Sequence, residues 1–165
     1  MEAAPDPKKL LGTEAVFAAF PENAAVLALK DLATDAKFDR NEFTLTVAAE
    51  NIVAACKAVQ AAGYNFFEDC TAVDWYPSEP RFQVTYHIVS HRLKQRIRLI
   101  ARLGGTVPSI PTITNVWPSA NFYEREVFDL FGIDFPGHPN LKRIMMPEDW
   151  NGNPLRKDYP VEGYR

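Results

Sequence analysis

Residues 66–103 constrain the fold of this chain most. They hold three segments of period-two hydrophobicity, 66–75, 81–90 and 95–103, parted by the turn clusters Pro77-Ser78-Glu79-Pro80 and His91-Arg92-Leu93-Lys94. Phe82, Val84, Tyr86 and Ile88 share one face of the second segment. Ile97, Leu99, Ala101 and Leu103 share one face of the third, with Arg96, Arg98 and Arg102 on the other. Successive strand side chains point to opposite faces, so the pattern predicts an antiparallel meander whose apolar face must be covered. Gly104-Gly105 closes it.

The cover has to come from helices elsewhere. Residues 50–62 predict one, with Ile52, Val53, Cys56 and Val59 as its buried stripe and Gly63 as its stop. Thr13 to Phe20 predicts a shorter one, ended by Pro21. Residues 43–47 alternate cleanly as a strand. Residues 24–32 read as a strand pairing with them across a polar loop at 34–41, although their Ala-rich composition also suits a helix. A last helix precedes Gly132, with Ser119 or Asn121 as N-cap and Asn121 and Glu124 at capping-box spacing. Pro136 and Pro139 forbid its restart. The fold class is α+β: a mixed, mostly antiparallel sheet in the order α-β-β-α-β-β-β-α.

This organisation gives a loose N-terminal arm at 1–12, an α+β domain at 13–132 and an extended Pro/Gly-rich C-terminal strap at 133–165. The strap carries Leu141, Ile144, Met145, Met146, Trp150 and Leu155 with neither helical nor strand periodicity. A solvated tail would not hold so many large apolar groups. They must bury elsewhere, on the domain or on a partner.

In projection, the last helix gathers Arg125, Glu126 and Asp129 on one side. Glu124 falls inside the apolar arc of Tyr123, Val127, Phe128, Leu130 and Phe131. A carboxylate there must be paired, hydrogen-bonded or protonated. It could serve proton chemistry, cap its own first turn, or form a structural ion pair, which is the expected role. Other candidate chemistry is thin. His87 and His91 lie along a strand, about 13 Å apart, too far for a shared metal. His138 sits in a Gly-His-Pro turn. Glu68, Asp69 and Asp74 are split between strand faces. Arg96, Arg98 and Arg102 could meet phosphates, but only Trp75 and Tyr76 lie close enough to stack bases. Cys56 and Cys70 are too few for a zinc or iron–sulfur site and read as buried thiols.

Charge is polarised. Residues 1–80 carry 6 basic and 13 acidic side chains, net −7, and residues 81–165 carry 12 and 8, net +4. That suits docking by electrostatic complementarity and is too weakly basic to argue for nucleic acid. No apolar run approaches a membrane span, and the first residues have no apolar secretory core, so the expected location is the cytosol or the cytosolic face of an assembly.

One stretch is far more specific. Glu124-Arg125-Glu126, Asp129-Leu130-Phe131-Gly132-Ile133, Phe135, Gly137-His138-Pro139, Leu141 and Arg143-Ile144 resemble the signature of the thirty-kilodalton subunit of respiratory complex I. In bacteria this is the C subunit of NADH–quinone oxidoreductase. Pro147-Glu148-Asp149-Trp150, Gly152, Pro154-Leu155-Arg156-Lys157-Asp158-Tyr159 and Pro160 continue it. The resemblance spans about residues 43–160 and is loose before that.

The resemblance implies a scaffold subunit of the peripheral arm, with no catalytic residue and no flavin, cluster or metal of its own. FMN, iron–sulfur clusters and quinone belong to partner subunits. It implies packing against the forty-nine-kilodalton-type subunit (the bacterial D subunit) near the quinone site. It also implies no membrane insertion, no nucleic acid, and a place on the cytoplasmic face of the bacterial plasma membrane. The isolated chain is expected to be inactive within an NADH:quinone translocase. Glu124 to Glu126, Asp129, Phe131, Gly132, Gly137 to Pro139, Leu141, Arg143, Trp150 and Pro154 to Tyr159 are its implied interface or structural residues. Plastid-type NDH complexes, coenzyme F420 dehydrogenases and membrane-bound hydrogenases contain related subunits and are the alternative.

Overall fold

The structure, a computed structural model, describes residues 9–163. One six-stranded sheet runs through it. In chain order the strands are β1 (Leu10–Leu11), β2 (Ala33–Asp39), β3 (Glu42–Val47), β4 (Phe66–Asp74), β5 (Phe82–Ser90) and β6 (Gln95–Leu103). In space they lie β1-β2-β3-β6-β5-β4. Every pairing is antiparallel except β3 with β6. The meander 66–103 therefore forms as its periodicity predicts.

Among the described residues four α-helices accompany the sheet, α1 (Thr13–Ala19), α2 (Ala24–Leu29), α3 (Ile52–Ala61) and α4 (Ala120–Phe131), and a 3-10 turn at Ala49–Asn51 leads into α3. The core lies on one face. Leu45 and Val47 of β3, Val84, Tyr86 and Ile88 of β5, and Ile97, Leu99 and Ala101 of β6 pack there with Ile52, Cys56 and Val59 of α3 and Val127 of α4. Truncating one such aliphatic residue to Ala costs about 2–5 kcal/mol.

The N-terminal quarter corrects the expected element order. Residues 24–32 are not a strand. The Asn23 side chain accepts hydrogen bonds from the Ala25 and Val26 amides and so starts α2. The expected loop 34–41 is mostly strand β2. Its Ala36 and Phe38 point into the core, while Asp35, Lys37 and Asp39 face outward and disguise it as polar. Its hairpin with β3 turns on Arg40 and Asn41, both left-handed at φ 52 and 62, as a two-residue primed turn requires. Leu10 and Leu11, within the expected arm, pair with Phe38 and Lys37. Residues 1–8 lie outside the described residues.

Beyond α4 the chain has no further helix or multi-residue strand among the described residues. It still joins the core at once. Ile133 and Phe135 are fully buried. Segment 134–136 runs beside 108–112: the Ile110 and Thr112 amides donate to the Asp134 and Pro136 carbonyls, and the Asp134 amide donates to Pro108.

Candidate partner interface

Helix α4 is the platform on which the strap is mounted. Its N-cap is Ser119, with no side-chain cap bond, and the Ala120 and Asn121 amides bond the Trp117 and Pro118 carbonyls. The expected Asn121–Glu124 capping box is absent because Glu124 points into the core instead. There its Oε1 accepts from the Ile113 amide at 2.7 Å, and its Oε2 accepts from the Thr112 hydroxyl. Thr112 is in turn held by the Thr114 amide. Burial pushes the Glu124 carboxyl up to about 7, because these two bonds only partly offset the loss of water.

The nearest cation candidate, His138 Nε2, is 3.9 Å from Glu124 Oε2. It is a poor ion partner. The Asn140 amide donates to Nδ1, leaving Nε2–H to donate to the Asn121 carbonyl, and burial lowers the imidazole's affinity for a proton. Glu124 is thus held by hydroxyl and amide donors, not by the expected ion pair.

The ion-pair node is Asp129, one turn further on. Its Oδ1 accepts from Arg143 Nη1 at 2.8 Å. Its Oδ2 accepts from three consecutive amides, Ile144 at 2.9 Å, Met145 at 2.7 Å and Met146 at 2.9 Å. Burial alone would raise this carboxyl, but the three amides and Arg143 outweigh it and hold it below the ordinary range. Arg125 grips the same segment from above by donating to the Lys142 and Arg143 carbonyls.

The C-terminal turn of α4 is capped by the strap as well. Helix ends leave carbonyls without intrahelical partners. Here Asn153 Nδ2 donates to the Asp129 carbonyl, the Leu155 amide to Leu130, and Arg156 to Phe131 and Gly132. Gly132 stops the helix in the left-handed region at φ 69, and a Cβ there would meet Asn153 Oδ1 at 2.6 Å. A second clasp lies at the end of β4. Asp74 accepts from Arg81 and from the Tyr76 and Lys157 amides, and Arg81 reaches on to both oxygens of Asp158. Burial pushes Asp74 up, but the Arg81, Lys157 and Tyr76 donors prevail and hold it at about 2.

These clasps hold apolar groups outward. Met145 is 62% exposed, Leu155 49% and Trp150 40%, and Ile144 is also exposed. Leu141 packs against the core. Glu126 and Pro139 are exposed. Pro154 and Tyr159 are half-buried, and the Tyr159 hydroxyl donates to the Asn151 carbonyl. Gly137 turns at φ 85 against Thr112. Sequence reasoning missed Thr112 and Ile113, which reach Glu124 from a loop 12 and 11 residues upstream, and it took Asp74 for one of several split strand acids, without the strap contacts that Asp74 and Arg81 make through Lys157 and Asp158.

The remaining candidates are spread over the sheet's open face. Arg96 and Arg98 are both engaged by Glu42, and Arg98 Nε donates to His87 Nε2. His87 therefore carries its proton on Nδ1, facing Asp69 at 2.6 Å. His91 packs its ring against Phe66. Two of the three arginines considered for phosphate are thus already paired. Cys56 and Cys70 are buried and unbonded, and burial pushes both thiols up. Among the described residues no three His, Cys, Asp or Glu side chains converge as metal ligands, and no helix is long and apolar enough to cross a membrane.

The stretch that forms α4 and the strap lies within a family match. Residues 45–165 match the family described as "Respiratory-chain NADH dehydrogenase, 30 Kd subunit". The chain belongs to this family.

Within the family, the chain is 48% identical over 146 residues to the NADH-quinone oxidoreductase C subunit of Citrifermentans bemidjiense, covering 86% of this chain and 91% of the relative. It is 46% identical over 147 residues to the corresponding C subunit of Geobacter sulfurreducens, with the same coverage of 86% and 91%. Among solved structures it resembles Nqo5 in its trypsin-resistant fragment (1-134), at TM-score 0.57 and 35% identity over 61% of this chain and 83% of that one. It also resembles a chain of an archaeal respiratory complex, the membrane-bound sulfane sulfur reductase, at TM-score 0.73 and 26% identity over 82% of each chain. The chain is a subunit of an NADH-quinone oxidoreductase, and its α+β fold is the family's.

Proposed function

We propose that this chain is a non-catalytic scaffold in the peripheral arm of a proton-pumping NADH–quinone oxidoreductase, and that it packs its strap against the forty-nine-kilodalton-type subunit near the quinone site. The observation that carries this reading is the mounting of the strap. Asp129, Arg125, Arg143 and Arg156 fix its backbone on α4 while Met145, Trp150 and Leu155 stay outside. Rigid apolar groups projecting from a pre-ordered segment lower the ordering cost of association. The flavin and clusters belong to partner subunits, and the assembly sits on the cytoplasmic face of the plasma membrane.

The test is binding by two tagged forms, the full chain and one ending at Leu141, in mild detergent extract. Loss of the forty-nine-kilodalton-type subunit with the shorter form supports the reading; equal retention refutes it. A second reading has one observation in its favour. The likeness to a chain of the archaeal sulfane sulfur reductase extends over 82% of both chains, so this scaffold also suits related respiratory complexes with other electron donors. Finding no NADH-oxidising flavoprotein among the co-purifying subunits would favour that alternative.

A further inference from the structure

Segment 112–114 and the root of the strap meet at Glu124, and their polar atoms suit two protonation states of that one carboxyl. The Thr112 and Thr114 hydroxyls lie 2.9 Å apart, and either can donate to the other. Thr112 Oγ1 also touches Glu124 Oε2 and accepts from the Thr114 amide at 3.2 Å. A hydroxyl has one proton to give and two lone pairs to fill. With Glu124 ionised, Thr112 donates to Oε2 and accepts from the Thr114 amide and hydroxyl. With Glu124 protonated, Oε2–H donates to Thr112, and Thr112 turns its own proton to Thr114. The carboxyl and Thr112 keep their partners in both states, so the change needs only two hydroxyls to reverse.

This row of hydroxyls also leads outward. Glu124 is fully buried, Thr112 is 4% exposed and Thr114 8%, and Asn115 beyond them is exposed. From the core, Cys56 of α3, Cys70 of β4 and Tyr86 of β5 lie near Glu124, and burial raises all three so that they stay uncharged at neutral pH. Among the described residues no lysine or arginine pairs with Glu124. Arg125 acts on His138 instead and, after burial, disfavours its imidazolium. On the strap side, His138 Nε2 lies 3.9 Å from Glu124 Oε2 and 3.3 Å from the Asn121 carbonyl. The Asn140 amide fills Nδ1, so the ring cannot take the proton that Glu124 gives up without losing that bond. An ionised Glu124 draws Nε2–H towards itself and away from Asn121, whereas a protonated one leaves it in place.

We propose that Glu124 is an exchangeable proton site, opened to solvent through the Thr112 and Thr114 hydroxyls and read by His138 where the strap begins. On release, the carboxyl gives its proton to Thr112 Oγ1, Thr112 gives its own to Thr114 Oγ1, and Thr114 gives its own to water, so each hydroxyl ends with one proton. Burial without a cation, which raises the Glu124 carboxyl to about 7, puts this exchange at neutral pH. The site lies wholly within this chain and stands apart from the scaffold reading.

Nuclear magnetic resonance of the full-length chain tests this, following the Glu124 carboxyl carbon and the His138 ring nitrogens from about pH 5 to 9. The carboxyl is expected to titrate at about 7, and the His138 Nε2–H signal to move with the same midpoint while the ring stays neutral. A carboxyl ionised throughout, or a His138 signal that does not follow it, overturns the proposal. Thr112→Val removes a donor to the ionised carboxyl and should tighten proton binding about tenfold. Thr114→Val leaves the Thr112 hydroxyl without an acceptor only when Glu124 is protonated, and should weaken proton binding about fivefold. Shifts of the same sign in these two variants overturn the relay. Thr112→Ser keeps the hydroxyl and should titrate like wild type; a shift like that of Thr112→Val contradicts the assigned role. In Glu124→Gln the His138 movement at neutral pH should vanish, and its persistence overturns the reading of Glu124 by His138.

Discussion

Replacing Asp129 with Ala should detach the strap and leave the sheet intact. Asp129 accepts four hydrogen bonds, from Arg143 and the amides of residues 144–146, and its side chain is fully buried. Bonds to a charged acceptor contribute roughly 1.5–3 kcal/mol each, but the carboxylate's own desolvation offsets several kcal/mol of that total. Breaking a buried pair of this kind costs about 3–5 kcal/mol. The orphaned donors lie on an exposed segment, so they recover part of that loss by taking water. The net is about 3 kcal/mol, or roughly a hundredfold larger open fraction of the strap. Hydrogen exchange at the Ile144, Met145 and Met146 amides should accelerate by that factor, and trypsin should cut after Lys142 or Arg143, while β5 and β6 stay protected. The clasp should also fail in acid. The folded pKa of Asp129 lies below its unfolded value, so its contribution is present above the ordinary carboxylate range and is lost as pH falls through the depressed value. Unchanged exchange at residues 144–146 in the variant would refute this reasoning, and so would equal deprotection of the central strands.

Glu124 should behave in the opposite sense. Its folded carboxyl is raised from 4.5 to about 7, so wild-type stability is fully present below about 4.5 and falls as pH rises towards and past 7, by about 3 kcal/mol. Glu124→Gln should flatten that decline, and urea midpoints that run parallel for the two proteins at pH 5 and pH 8 would contradict it. A chain ending at Gly132 should not fold cooperatively, because Ile133 and Phe135 are core and losing a buried Phe costs about 3–5 kcal/mol; a chain ending at Leu141 should keep a sharp thermal transition. Gly132→Ala should cost about 1–2 kcal/mol in backbone strain and displace Asn153 and Arg156, visible as faster exchange of the Leu155 amide.

Much of the fold was legible because its signals are local. In β5 and β6 one face is buried along nine residues each, so period two stands out. Helix α4 shows its stop in Gly132 and its polar face in Arg125, Glu126 and Asp129. The N-terminal quarter misled because its signals compete. Helix α2 is only six residues long and depends on the Asn23 cap. Strand β2 lies next to the short edge strand β1, with charged residues outward. Its hairpin carries Arg40 where a glycine or asparagine usually marks the turn. The site was half legible. That Glu124 faces the core follows from helical spacing, but its donors come from a loop 11 and 12 residues upstream. The Arg81–Asp158 pair joins positions 77 apart in the chain, and nothing local in either neighbourhood announces the other.

A scaffold clasped to a larger subunit should come out of the membrane together with that subunit. Mass spectrometry of what co-purifies with the tagged full-length chain from a mild detergent extract tests it most directly. A forty-nine-kilodalton-type subunit should be recovered in stoichiometric amount, accompanied by other peripheral-arm subunits. A monodisperse chain recovered free of partners would contradict it.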